Sequence, residues 1–311
     1  MKKINSIIVV ASICAGLFFS PAYLTAERSF PFSITLSGNY GFINGNDVNR
    51  IISEKSSQFS GPTAFFNWEE LKNTNDINFE VIYHLSESIG IGIGAGYLFK
   101  TNSGEYGWRA DSNVYSDQFR EYKISAFLLN GNVHYNFNLS NTLNLYATAG
   151  GDIYFGKLKH LHEISWDYHL SQSNPYWYVP ISDPTIGPIY YSGDEDIHVV
   201  GSSEMNEDMS STTVGFHAGL GLELKLNTTF SVIAGGFYRF ARFSDITGEQ
   251  NYSNTLGDSS GINGTLWYWE KEINDIKIWS TQPEDSRKAE IDLSGFNIQI
   301  GVKIKFSLSL F

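Results

Sequence analysis

The side chains best suited to metal chemistry fall in one long segment of the chain. His160 and His162 are two positions apart, and so are Asp196 and His198. On an extended backbone, residues two apart face the same side. If the two segments pair as a hairpin, imidazole nitrogens and a carboxylate oxygen meet in a combination that zinc and related metals accept. The spacing gives a metal-site hypothesis for His160, His162, Asp196 and His198, and solvated strand residues are the alternative.

The charge of this segment and of the whole chain limits the classes of partner. Residues 157–211 contain nine Asp and Glu against two Lys. Carboxylates at this density attract divalent cations and also keep an exposed segment soluble. The formal net charge of −12 argues against nucleic acid as a partner. The glycine run at 90–96 lacks the spacing of a nucleotide-binding loop, and no cofactor is predicted.

The elements that must position these residues are β-strands. Apolar residues recur at every second position in eight stretches, which is typical of strands with one apolar face. The clearest stretch begins at Val214 and ends at Leu226, and the last begins at Phe296. Three tight turns connect the stretches at 86–88, 140–142 and 227–229. Four long connections alternate with them, at about 43–75, 101–121, 157–211 and 244–288.

The bulk of the two strand faces predicts which one points outward. An eight-stranded barrel has an interior only wide enough for side chains. Large Leu, Ile, Phe and Tyr faces therefore point into lipid, and the small polar faces point inward. We predict an all-β, transmembrane, antiparallel up-and-down barrel of eight strands, with short periplasmic turns and long extracellular loops. Residues 264–280 are predicted to form an extracellular hairpin that turns at Asn274 and Asp275, and a ten-stranded barrel that includes it is the alternative.

Inward-facing positions predict a plugged lumen. Glu223 and Lys303 are expected at comparable depth, as an ion pair. His84, His134 and His217 also point inward and are expected to be hydrogen-bonded plug residues. The apolar periodicity changes phase between residues 126 and 129, and again between 295 and 296. A one-residue slip reverses the facing of side chains, so a β-bulge is predicted at each place.

The N-terminus predicts secretion. Residues 1–26 read as a signal peptide, with a basic start, an apolar core and cleavage after Ala22 or Ala26. The barrel then occupies residues 27–311. The single cysteine, Cys14, lies inside the signal peptide, so the mature chain has no thiol. Secretion combined with alternating strands predicts the outer membrane of a Gram-negative bacterium. The expected partners are the barrel-assembly machinery and outer-membrane lipid and lipopolysaccharide.

The signal peptide, the eight strands and the terminal aromatic Phe311 resemble the eight-stranded outer-membrane barrels of the OmpA, OmpX and OmpW type. The pattern is shared by many families, so no single family is assigned. We expect a porin-like, monomeric barrel without enzymatic activity, in a structural or surface-interaction role. All seven tryptophans fall in the long loops, which predicts ordered, aromatic, acidic loops with a sugar or a peptide as ligand. A narrow pore for small solutes is the alternative.

One further pattern suggests a surface protease. Asp196 and His198 resemble the Asp–His pair of the omptin outer-membrane proteases, which activate water between that pair and a facing pair of aspartates. Asp111 and Asp117 are six positions apart in another loop and do not match the facing pair convincingly.

Overall fold

A computed structural model describes residues 32–111, 114–170, 197–269 and 275–306. The predicted signal peptide and Phe311 lie outside these ranges. No helix within them has the length and apolar character of a membrane span. In chain order the elements are β1 (Phe32–Phe42), α1 (Asp47–Gln58), β2 (Ala64–Trp68), β3 (Asn73–His84), β4 (Ile89–Asp111), β5 (Val114–Asn138), β6 (Leu143–Leu170), β7 (Ile197–Lys225), β8 (Phe230–Phe240), β9 (Arg242–Phe243), β10 (Thr247–Asn254), β11 (Ser259–Trp269), β12 (Asp275–Trp279), β13 (Ser286–Lys288), β14 (Ile291–Asp292) and β15 (Gly295–Phe306).

Eight strands close into a ring. The order around it is β1, β3, β4, β5, β6, β7, β8 and β15, which returns to β1, and every neighbouring pair is antiparallel. Phe32 lies opposite Tyr83 on one side and Phe306 on the other, so β1 and β15 complete the circle. The predicted eight-stranded antiparallel barrel is confirmed.

Four strands of the ring are much longer than a membrane crossing requires. The strands β4 to β7 have 23, 25, 28 and 29 residues, against about 9–11 for a crossing. Beyond the ring, β2 adds to β4, and β10, β11 and β12 add in succession to β7. The pair β11–β12, with Thr265 opposite Trp279, is the predicted hairpin, and it lies outside the ring. Its predicted turn is wrong at Asp275, which is the first residue of β12 and pairs with Trp269.

The molecule therefore has two sections along the barrel axis. The lower section consists of β1, β3, β8 and β15 with residues 89–99, 127–138, 143–155 and 214–225. The upper section consists of the described residues among 43–72, 100–126, 156–213 and 241–294. The helix α1 belongs to the upper section, where Val48, Ile51 and Ile52 on one face are buried.

The polarity of the two wall faces reverses between these sections. On β6, outward Ile153 and Phe155 are 45% and 46% exposed, whereas the next outward residues are Lys157 and Lys159. Inward positions change in the opposite sense, from buried Asp152 to Leu158. The lower section thus presents an apolar outside and a polar inside, and the upper section presents the reverse. This is the pattern of a wall that leaves lipid and enters water.

The same reversal corrects the predicted β-bulges. Even-numbered residues of β5 stay inside from Ser116 to Asn136, and its pairing with β6 runs without a register shift. The prediction of a β-bulge between residues 126 and 129 is therefore wrong. Near residue 295 the strand is interrupted, but Leu293, Gly295 and Asn297 all remain buried in one phase. The apolar periodicity changed phase because the solvent outside the wall changed, while the side chains kept their facing.

Aromatic rings mark the boundary between the two sections. Outward Phe127 and Phe155 stack at 6.4 Å between ring centroids, and Phe216 and Phe240 stack at 4.3 Å. A second set of outward rings, on β5 and β3, lies near the short turns. Bands of aromatic residues at both interfaces are typical of membrane barrels. About ten residues separate the two bands on β1, β5 and β15, which fits the thickness of a bilayer.

Candidate functional site

Charged side chains fill the lumen of the lower section. Glu223 lies 3.1 Å from Lys303 and 2.6 Å from Lys305, which confirms the predicted pairing of Glu223 with Lys303. Nearer the boundary, Arg239 pairs with Asp76 at 3.0 Å. Asp76, Arg239 and Lys303 line a cavity of about 70 Å³. The lumen is therefore a network of ion pairs around a small cavity.

The three predicted plug histidines belong to this network. His134 lies 2.7 Å from Glu80, and His217 lies 2.9 Å from Asp152. His84 is hydrogen-bonded to Ser33 at 3.0 Å. Their role as hydrogen-bonded residues is confirmed.

A second buried cluster of charges lies inside the upper section, beside its apolar core. Arg120 on β5 donates from Nη1 and Nη2 to the two carboxylate oxygens of Asp275 on β12, at 2.8 and 2.7 Å. Lys55 on α1 reaches the same carboxylate at 4.0 Å. Burial alone would raise the pKa of Asp275, but the Arg120 guanidinium holds that pKa well below its usual range. The Arg120–Asp275 pair ties the hairpin to the barrel wall, and Lys55 links the helix to the hairpin.

The two histidines of the metal hypothesis lie beside this cluster. His160 Nδ1 lies 2.7 Å from Glu207, and its ring stacks on Tyr122 at 4.3 Å. His162 Nε2 lies 3.2 Å from Gln118. Burial, together with the positive charge of Arg120, lowers the pKa of His162 well below its usual value, so this ring is neutral at pH 7.

The register of β6 and β7 separates the members of the metal hypothesis. His160 lies opposite Glu207, whereas His198 lies opposite His169. Nine positions separate residues 198 and 207, or about 30 Å along a strand. Asp196 and the side chain of His198 lie outside the described residues. Within the described ranges, no group of three or more His, Cys, Asp or Glu is placed to hold a metal. The four-residue site stays a prediction.

The structure describes the side chain of one of the two candidate facing aspartates of the protease hypothesis. Asp117 forms an ion pair with Arg109 at 2.5 Å on the outer face of the upper section. The side chain of Asp111 lies outside the described residues.

Sequence reasoning missed Arg120, Asp275 and Glu207. Arg120 is two positions before Tyr122 and shares its phase, so that phase was a usable signal for an inward arginine. Its partner Asp275 is 155 residues away, and no local pattern links the two.

A large open cavity lies on the outer face of the upper section. We call it the outer groove. Its volume is about 530 Å³. One row of outward residues crosses it at equal register on four neighbouring strands, Glu105, Phe119, Glu163 and Glu204. Phe65, Arg109 and Asp117 lie above this row, with serine, asparagine and threonine side chains at the far end. The groove combines carboxylates with aromatic surface.

Comparison with known proteins gives one family. A family model described as "Outer membrane protein beta-barrel domain" matches residues 11–263. A comparison with curated proteins yields no match. Among solved structures, the chain is similar to Neisserial surface protein A, at 12% identity over 90% of this chain and 100% of that chain, with a TM-score of 0.32. It is similar to OprG from Pseudomonas aeruginosa, at 9% identity over 89% and 96%, with a TM-score of 0.33. It is also similar to the outer membrane protease OmpT from Escherichia coli, at 10% identity over 92% and 100%, with a TM-score of 0.31. At these low TM-scores, the assignment rests on the family model.

Proposed function

This chain belongs to the outer membrane protein β-barrel family and lies in the bacterial outer membrane, and we propose that it is a closed, monomeric surface-binding protein whose work is done by the upper section. By the usual topology of such barrels, the short turns face the periplasm and the upper section is extracellular. The apolar band of the lower section faces lipid and lipopolysaccharide. We also propose that the barrel-assembly machinery inserts this protein into the outer membrane.

The observation that carries the proposal is the filling of the barrel interior at two levels. In the lower section, Glu223 and its two lysine partners occupy the lumen. In the upper section, Trp68 stacks on Tyr106 at 5.9 Å and on Tyr122 at 5.8 Å inside an apolar core that includes α1. A solute would have to displace both fillings to pass along the axis. The outer faces of the upper section are then the surfaces that remain available to bind a partner.

Conductance measurements in planar bilayers test the closed barrel. We expect the purified protein to produce no stepwise current above the leak of the bare membrane. A porin of 16 strands, which encloses an aqueous channel, is the positive control in the same lipid. A heat-modifiable gel shift on the recovered protein shows that the barrel was folded. Reproducible single-channel steps would overturn the proposal in favour of a narrow pore for small solutes.

We also propose that the protein is not an enzyme. Of the two candidate facing aspartates for the Asp196–His198 pair, Asp117 is engaged by Arg109. Peptide libraries incubated with the folded protein should stay intact. Cleavage that is present in the wild type and lost in His198→Ala would establish a protease instead.

A further inference from the structure

We infer that the outer groove binds a basic segment of polypeptide in extended conformation. This inference rests on the proposed function, because it assigns a partner class to the upper section of a closed barrel. The occupant is argued from three features of the groove, which are its uncompensated charge, its aromatic surface and its length.

The charge of the groove differs from that of the sheet around it. Elsewhere on this outer face, opposite charges are paired. Lys159 on β6 lies 3.0 Å from Asp208 on β7, and Lys123 lies 2.5 Å from Glu121 on β5. In the groove, however, Glu163 lies directly opposite Glu204. Like charges opposite each other on neighbouring strands are destabilising.

A third strand, β4, adds to this negative charge. Glu105 lies in the same row, two strands from Glu163. All three glutamates are exposed, and none forms an ion pair within the described part of the chain. A ligand with several positive charges would therefore relieve a repulsion that the sheet itself leaves in place.

The aromatic surface selects among cationic ligands. Phe119 lies between Glu105 and Glu163 in the row and is partly exposed. Above it, the Arg109 guanidinium already lies 5.3 Å from the ring centroid of Phe65. Lysine and arginine side chains pack their aliphatic stems on apolar surface while their charged ends reach carboxylates. A bare divalent cation would use the glutamates but leave Phe119 without a contact.

The length of the row fits a peptide. Glu105 and Glu204 are three strand spacings apart, or about 14 Å at the usual spacing of neighbouring strands. An extended chain covers this distance in about four to five residues. Basic residues at alternate positions of such a chain would fall near successive glutamates, with the intervening side chains pointing away. A neutral sugar would also contact Phe119, but it would leave three carboxylates uncompensated.

Peptide binding to the full protein in phosphatidylcholine nanodiscs tests the inference. The probes are a fluorescent nonapeptide of alternating lysine and serine and an otherwise identical peptide with glutamine in place of lysine. Fluorescence anisotropy is measured at low and at physiological salt. The groove variant carries Glu105→Gln, Glu163→Gln and Glu204→Gln. The matched control carries Glu69→Gln, Glu249→Gln and Glu284→Gln, which change the net charge equally at exposed positions outside the groove.

We expect the lysine peptide to bind the wild type and the control, and to bind the groove variant about tenfold or more weakly, because three exposed charge pairs are lost. Phe119→Ala should also weaken binding, with an effect that changes little with salt, since the contact it removes is apolar. The glutamine peptide should not bind. A gel shift on heating verifies that each variant is folded.

Several results would overturn the inference. Equal weakening in the groove variant and the control would show attraction to net charge alone. Absence of binding to the wild type, or binding of a neutral oligosaccharide that depends on Phe119, would also contradict it. Failure of the inference is distinguishable from failure of the proposed function. A non-conducting barrel that binds no lysine peptide overturns only the groove, whereas a conducting barrel overturns the function on which the groove assignment rests.

Discussion

Replacing Asp275 by asparagine should loosen the hairpin from the barrel wall. Within the described ranges Asp275 is the only carboxylate paired with Arg120, and the side chains of Asp275 and Arg120 are 6% and 4% exposed. Asparagine keeps the shape of the side chain and removes its charge. Arg120 cannot lose its proton, so the variant buries an uncompensated guanidinium. Breaking a buried ion pair on one side costs about 3–5 kcal/mol.

The predicted cost can be read from amide hydrogen exchange. The β11–β12 amides, such as those of Trp267 and its partner Lys277, report the opening of the hairpin. A loss of about 3–5 kcal/mol in opening free energy corresponds to exchange about 10²- to 10⁴-fold faster. The amides of the lower section should keep their protection. Asp208→Asn is the matched control, because it removes a carboxylate from an exposed pair that is worth about 0–1 kcal/mol.

A double variant separates the charge effect from the packing effect. Arg120→Met combined with Asp275→Leu removes both charges, and replacing a buried pair with apolar residues is often neutral or stabilising. We expect the double variant to recover most of the protection lost in Asp275→Asn. The reasoning is refuted if Asp275→Asn exchanges at the wild-type rate, or if the double variant is no better protected than the single one.

Three further predictions concern pH, membrane position and metal. Because burial depresses the pKa of His162, the unfolded upper section binds more protons than the folded one, so the stability of the upper section should fall as pH drops below about 6.5. Unfolding of the upper section, followed by tryptophan fluorescence at several pH values, should show this fall in stability. The variant His162→Gln should make the stability less dependent on pH. Ala149→Arg, at the middle of the outward apolar face of β6, should destabilise the barrel by about 2–4 kcal/mol. Leu161→Arg, above the boundary between the two sections, should change the stability by no more than about 0.5 kcal/mol. Guanidinium titration in lipid vesicles measures both changes, and equal costs would contradict the position of the membrane boundary. If the predicted metal site exists, a chelator should lower the thermal stability of the wild type but not of His160→Ala, and no response in either protein would count against it.

The strands and their outward faces could be predicted from the sequence because alternation is a local property of an extended backbone. In each of the eight stretches, the alternation of residues alone indicates which face is apolar. Lipid outside and a narrow lumen inside then leave one arrangement of those faces. The ion pair of Glu223 and Lys303 followed from the same alternation, because both residues sit at inward positions near the ends of their strands.

The periodicity was misleading where the surroundings changed. On one side of residues 126–129 the apolar residues face outward, and on the other side they face inward, because the wall passes from lipid into water. A pattern of polarity reports the environment of a side chain and not its direction, so a bulge and a membrane boundary look alike in sequence. The alternation of burial along β5 separated them.

The sites depended on contacts between distant parts of the chain. Asp275 meets Arg120 only because β12 reaches the wall through β11 and β10. The outer groove exists only because four strands align Glu105, Phe119, Glu163 and Glu204 at one height. The sequence indicates which residues lie on each strand and which face they share. It does not indicate their neighbours across the sheet, which depend on the register of the strands. Register comes from pairing over the whole barrel, so the architecture was decided locally and the surface that can bind a partner was decided only by the tertiary structure.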